Sequence, residues 1–145
     1  MFASQSERFS RKKNDPYICE ELINHAYKYG EPDLICWYEQ PLKKKLRQIR
    51  AGQGPFQDNF TKYFDCKHKF IDHHYSHACA GYFTSKFQSS AILVIDGIGE
   101  TTTMSIWSAR GTNIKRLWRL KYPNSIGLWY SAMPQRCGFK PNEEE

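Results

Sequence analysis

The 145-residue sequence has no apolar run long enough to cross a bilayer, and its start, Met1-Phe2-Ala3-Ser4-Gln5-Ser6-Glu7-Arg8, has no apolar signal core. These absences predict a soluble, cytoplasmic chain. The five cysteines, Cys19, Cys36, Cys66, Cys79 and Cys137, are odd in number, widely spaced and without a C-x-x-C pair, which argues against a disulfide framework and for reduced thiols. There is no internal repeat, and low complexity is confined to Glu143-Glu144-Glu145. Acidic residues are the minority charge, 15 against 21 Lys and Arg, for a net charge of +6. The basic excess sits in Arg11-Lys12-Lys13 and in the run from Lys43 to Arg50. Leu42, Leu46 and Ile49 recur at i, i+4, i+7 through that second run, so it reads as the charged side of an amphipathic helix. No aromatic stacking pattern accompanies it, which disfavours nucleic acid as a partner.

What the sequence does have is aromatic bulk: nine Phe, nine Tyr and four Trp. Each buries a large area, and with a length of one domain they supply a core despite an apolar fraction of 40%. The composition is not that of a disordered chain.

Asp15-Pro16 marks a helix start, and Gly30 a C-terminal cap after about Tyr29. Ile18, Leu22, Ala26 and Tyr29 form the predicted buried stripe. Asp33 to Tyr38 reads as a short buried strand, and the basic helix follows Pro41 and ends before Gly52. From Gly52 to Lys67 the pattern is aromatic and polar without a clear period, a loop with a short helix at most. Lys69-Phe70-Ile71 reads as another short strand leading to a helix from Asp72 or His73 toward Phe83. Beyond it the period changes. Ala91-Ile92-Leu93-Val94-Ile95 is a β run broken at Asp96-Gly97-Ile98-Gly99; Thr101 to Trp107 is a second, broken at Ala109-Arg110-Gly111; Ile114 to Tyr122 is a third. Three such runs joined by tight turns form an antiparallel meander. Pro123-Asn124-Ser125 opens a last helix through about Met133, with Ser125 as N-cap. The predicted class is α/β.

On a helix, His73 and His77 project from one face one turn apart, and such a pair can chelate a metal ion; on its own the pattern more often belongs to ordinary surface or core histidines. His74 points elsewhere and takes a structural role. Asp96, at the end of an apolar strand, can add a carboxylate oxygen, and two imidazoles with one carboxylate suit Fe(II), Zn(II) or Mn(II) with open positions left over. Taken alone, Asp96-Gly97 reads more simply as a hairpin turn. Gly97, Gly99 and Glu100 lie in a loop whose missing Cβ atoms let backbone N–H groups approach a phosphate, with Thr101, Thr102 and Thr103 adding hydroxyls.

The segments HHYSHACAGYF at 73–83, AILVIDGIGETTT at 91–103, YPNSIGLWYSA at 122–132 and CGFKPNEEE at 137–145, with ERFSRKKND at 7–15 and YEQPLKKKLR at 38–47, strongly resemble the O-carbamoyltransferases of nodulation-factor and antibiotic biosynthesis. The resemblance runs in order through nearly the whole chain. It implies a partial actin-like ATPase domain of ribonuclease-H-like halves, related to the tRNA threonylcarbamoyl-transferring proteins. Residues up to about 68 would close its first half, and 69–145 would carry the metal helix, the meander and the following helix. It further implies an enzyme that uses ATP and carbamoyl phosphate, by way of carbamoyl adenylate, to carbamoylate a hydroxyl of a sugar or antibiotic acceptor. An iron ion would be held by His73, His77 and Asp96, and the nucleotide would lie near Gly97, Gly99 and Glu100. No residue is identified as the acceptor's general base. The same resemblance implies family strands ahead of Glu7, and a later metal aspartate and a carbamoyl-phosphate-binding domain after Glu145, so the chain is expected to be inactive alone. Two alternatives stand beside it: a non-catalytic metal- or nucleotide-binding module, and a relative of the tRNA-modifying proteins.

Overall fold

The computed structural model describes residues 4, 6–12, 18–50, 52 and 63–140. The helix-start signal at Asp15-Pro16 and most of the loop after Gly52 lie outside these residues. A short helix, α1 (Glu7–Ser10), precedes α2 (Glu20–Tyr27). Ile23 is the buried residue of α2, and Tyr29, expected in its stripe, lies exposed beyond its end. The reason is local. Lys28, Tyr29 and Gly30 donate to His25, Ala26 and Tyr27, three residues back, so the chain tightens and turns Tyr29 off the helical face.

Two short strands, β1 (Leu34–Trp37) and β2 (Lys67–Phe70), pair in parallel with Trp37 opposite Phe70, and α3 (Pro41–Arg50) lies between them in sequence. Parallel strands end at the same edge of their sheet, so the residues just after them emerge together. Those residues are Glu39 on one side and Asp72-His73 on the other. The expected apolar stripe of α3, Leu42, Leu46 and Ile49, is exposed rather than buried, since no described element lies over it.

The second sheet is the expected meander, β3 (Ser89–Gly99), β4 (Thr102–Arg110) and β5 (Asn113–Lys121), in that order and antiparallel. The reading of Asp96 to Gly99 as the break is corrected: the strand continues to Gly99, and the turn falls on Glu100-Thr101, with Gly99 opposite Thr102. Between the Ile95–Met104 pair and that one the register shifts, so Asp96, Gly97 and Ile98 form a bulge. The second turn likewise falls later than expected, on Gly111-Thr112, with Gly111 in the left-handed region at φ 58°.

Alternate residues of β4, Thr103, Ser105, Trp107 and Ala109, are buried and face α4 (His73–Phe83). Asp72 caps this helix by accepting from the Tyr75 N–H at 3.0 Å. Its buried stripe is His74, Ala78 and Tyr82 at four-residue spacing. Ala78 packs with Val94 and Trp107, flanked by Tyr75, Ile92 and Ile114. On the opposite face of the sheet, Leu93, Ile106 and Trp118 form an exposed cross-strand row. No described helix is long and apolar enough to cross a membrane. All five cysteines are free.

His74, only 1% exposed, joins α4 to β4 through a closed chain of hydrogen bonds. Its Nε2 lies 3.0 Å from the Thr102 carbonyl, which can only accept, so that nitrogen carries the proton. Its Nδ1 then accepts from the Ser105 hydroxyl at 2.7 Å, and the Ser105 oxygen accepts from Trp107 Nε1–H at 2.7 Å. Every polar group in the chain is satisfied only while His74 is neutral, and burial holds its pKa below the ordinary 6.5. The unfolded chain takes up this proton near pH 6.5 and the folded chain resists it. The contribution to stability is therefore full above 6.5 and drains as pH falls below it. Urea unfolding of wild type should show a midpoint that drops on acidification, whereas His74→Gln, weaker at neutral pH, should give a flatter acid limb. Groups common to both chains cancel in the comparison, and parallel profiles would contradict the assignment.

Candidate metal centre

The anchor at His74 sets the rotation of α4, and rotation decides where its neighbours point. His73 and His77 turn toward the bulge of β3, and their Nε2 atoms stand 3.1 Å apart. The bulge in turn aims Asp96 back at the helix, with Oδ2 2.7 Å from His73 Nε2. One ligand atom from each of His73, His77 and Asp96 lies within 4.8 Å of the others. Without an ion, one His73 site has to serve two neighbours in this cluster. His73 Nε2 has one site, either a proton or a lone pair, yet it faces both a carboxylate oxygen and a second imidazole nitrogen. With a proton it must be shared between two acceptors, and with a lone pair it is repelled by Asp96.

A cation removes that conflict, because three lone pairs then converge on one positive centre. The spacing fits: neighbouring donors about 2.1 Å from one ion and at right angles to it stand about 3 Å apart. The donor set, two imidazoles and a carboxylate, suits Fe(II), Zn(II) or Mn(II). Without an ion the cluster has the electrostatics of an ion pair. The hydrogen bond to Asp96 raises the His73 pKa above 6.5, against the lowering by burial, with Asp96, Glu39 and Glu100 adding their charge. The same bond to His73 lowers the Asp96 pKa below 3.8.

The backbone under Asp96 is clamped from the other side. Asp96 Oδ1 accepts from the Gly97 N–H at 2.6 Å, and the Ser125 hydroxyl donates to the Gly97 carbonyl at 2.8 Å. Ser125 is also the N-cap of α5 (Ile126–Arg136), accepting from the Leu128 N–H at 3.0 Å, as its position in the sequence predicted. Gly127 lets this helix come close, since a Cβ there would meet the Asp96 carbonyl oxygen and the Gly97 nitrogen at 2.6 Å. This role of the Asn-Ser-Ile-Gly segment was not read from sequence.

Gly97, Gly99 and Glu100 stand beside the cluster. A Cβ on Gly97 would meet nothing within 4 Å. At Gly99 the missing Cβ makes room for the histidines, because a Cβ would lie 2.6 Å from carbons of both the His73 and His74 rings. Glu100, buried at 5%, adopts φ 60°, a conformation that costs a non-glycine residue about 1–3 kcal/mol. Its carboxylate offsets that strain by accepting from the Gln40 N–H at 2.7 Å and the Lys43 ammonium at 3.0 Å, which ties the turn to the start of α3. The Thr103 hydroxyl, expected to face a phosphate, donates to the Asn124 carbonyl instead.

Sequence reasoning missed Glu39. It is 6% exposed, ion-paired to Lys44, and its Oε1 lies 3.9 Å from His73 Nδ1. Its only signal in the sequence is a carboxylate two residues past a strand end, too common a pattern to single out. Tyr38 places its ring 5.5 Å from that of His73 on the same side.

The sequence profile of the carbamoyltransferase N-terminus matches residues 37–145, from the end of β1 through the cluster and α5. The chain belongs to this family. Among relatives, an uncharacterised protein of Synechocystis is 32% identical over an alignment covering 99% of this chain and 29% of that protein. An uncharacterised protein of Methanocaldococcus jannaschii is 27% identical over 100% of this chain and 27% of its own length. The nodulation protein NolNO of Sinorhizobium fredii is 38% identical over 94% of this chain and 23% of that protein. The chain thus spans less than a third of each of these relatives. The matched segment of this carbamoyltransferase-family chain includes Glu39, His73, His77 and Asp96.

Packing at Gly99 gives a direct check on the geometry. Gly99→Ala should destabilise the fold by about 1–3 kcal/mol, the usual range for an overpacked site. Denaturant unfolding reads this, with Gly97→Ala as the matched control on the open side. Equal stability of the two variants would contradict the packing of His73 and His74 against Gly99.

Proposed function

We propose that this chain supplies the metal-binding part of an ATP-dependent O-carbamoyltransferase, which moves a carbamoyl group from carbamoyl phosphate, by way of carbamoyl adenylate, to a hydroxyl of a small-molecule acceptor. The observation that carries the reading is the convergence of His73, His77 and Asp96 in a chain of the carbamoyltransferase N-terminus family. The order of elements, a parallel pair followed by a metal helix and a meander, supports its placement as part of an actin-like nucleotide-binding domain.

A divalent ion held by His73, His77 and Asp96 would supply positive charge to offset that of nearby phosphate oxygens. The residues divide the remaining work. His73 and His77 hold two positions fixed from one helix face, and Asp96 holds a third from the bulge. Two donors of the loop are turned inward, the Gly97 N–H onto Asp96 and the Thr103 hydroxyl onto Asn124, while both Glu100 oxygens accept from Gln40 and Lys43. The loop therefore serves the nucleotide by shaping the ion's surroundings, with Gly97 leaving its outer side open. The acceptor class we propose, a sugar or antibiotic-like hydroxyl compound, is what the resemblance to nodulation-factor and antibiotic carbamoyltransferases implies.

The test is calorimetric titration of the full chain with Fe(II) under anaerobic conditions and with Zn(II). Wild type should bind one ion, and His77→Ala or Asp96→Ala should weaken binding by at least about tenfold. Metal-loaded wild type should also bind ATP more tightly than metal-free protein. Equal metal affinity in wild type and His77→Ala would overturn the assignment of the site.

A further inference from the structure

We infer that Glu39 is a positioning residue for the metal centre, accepting a hydrogen bond from His73 Nδ1–H and so locking the imidazole in the tautomer that presents Nε2 to the ion. The inference rests on the metal reading above and deepens it. His73 Nδ1 is buried and has no hydrogen-bond partner. A ring whose Nε2 lone pair is given to a metal must carry its proton on Nδ1, and a buried N–H without an acceptor is strongly disfavoured. The carboxylate facing that nitrogen is Glu39, 3.9 Å away, with a side chain 8% exposed. The separation is about 1 Å beyond a normal N–H···O hydrogen bond, and Glu39 reaches His73 from a connection between β1 and α3 and not from a rigid strand.

The topology explains why this residue is the partner. β1 and β2 are parallel with Trp37 level with Phe70, so the segments after them leave the sheet side by side. Glu39 lies two residues past the first end and His73 three past the second. The other groups around the ring are already engaged: Asp96 lies at Nε2, Glu100 is held by Gln40 and Lys43, and the Tyr38 ring lies 5.5 Å away, tilted by 59°. Lys44 pairs with the second oxygen of Glu39, which leaves Oε1 for the histidine. A carboxylate behind a ligating imidazole both orients the ring and makes it a stronger donor.

The experiment compares Co(II) affinity and visible absorption in wild type, Glu39→Ala, Glu39→Gln and Lys44→Ala, each checked for folding by circular dichroism. Loss of an acceptor behind a ligand should weaken Co(II) binding about 10–100-fold in Glu39→Ala and change the absorption bands. Glu39→Gln keeps an acceptor oxygen in a side chain of the same length and should lose less. Lys44→Ala removes the ion pair but not the acceptor, so it should bind Co(II) within a few-fold of wild type; a loss there as large as in Glu39→Ala would show that Glu39 acts only by tying down α3. Wild-type affinity and spectrum in both Glu39 variants would overturn the inference while leaving the metal site standing. No Co(II) binding by folded wild type would overturn both.

Discussion

Closing α4 onto the central strand of the meander leaves an imidazole in the interior, and the chain of hydrogen bonds from Trp107 through Ser105 to His74 and on to the Thr102 carbonyl fixes that ring completely. A buried polar group satisfied on every side is unforgiving of small displacements, and that sets both the rotation and the height of the helix. Rotation matters because His73 and His77 are placed by it. A helix turned by one residue, about 100°, would carry both rings away from the bulge together. Ala78, fully buried against Val94 and Trp107, enforces the same setting through packing, since a larger residue would lift the helix from the sheet.

The sheet side of the site depends on a departure from regularity. Had β3 remained regular to its end, Asp96 would have followed the strict alternation of the strand, and its direction would be decided by the pleat alone. The bulge frees it from that alternation, and Ser125 and the first turn of α5 hold the freed backbone in place. Glu100 pins the adjoining turn to α3 from the third direction. Three carboxylates, Glu39, Asp96 and Glu100, thus lie around His73, with Lys43 and Lys44 balancing two of them. The carboxylate without a lysine is Asp96, the one beside both histidines.

The sequence made the architecture around the site legible because its signals are local. A continuous apolar run marks β3, His73 and His77 at four-residue spacing mark one helix face, and Ser125 before an amphipathic stretch marks a cap. What it hid depends on contacts between distant segments. Asp96-Gly97 has the composition of a turn, yet strand pairing carries the chain through to Gly99, and the turn falls on Glu100, a residue type that seldom adopts a left-handed conformation. At Gly99 a further constraint comes from a distant segment, since two histidine rings from α4 fill the space that a Cβ would take. Leu42, Leu46 and Ile49 mark an amphipathic helix, but periodicity does not report what lies across from the apolar side, and here they are exposed. Glu39 was invisible because its meaning comes from a parallel pairing with a strand some thirty residues later.

The proposed centre would hold one ion by two imidazoles and a carboxylate from α4 and the bulge of β3, with no thiolate among its ligands. X-ray absorption spectroscopy on the chain loaded with one equivalent of Zn(II) tests it most directly. The account predicts a first coordination sphere of nitrogen and oxygen only, at about 2.0–2.2 Å, with the outer-sphere scattering pattern of two imidazoles. A sulfur scatterer at about 2.3 Å, or the signature of fewer than two imidazoles, would contradict it.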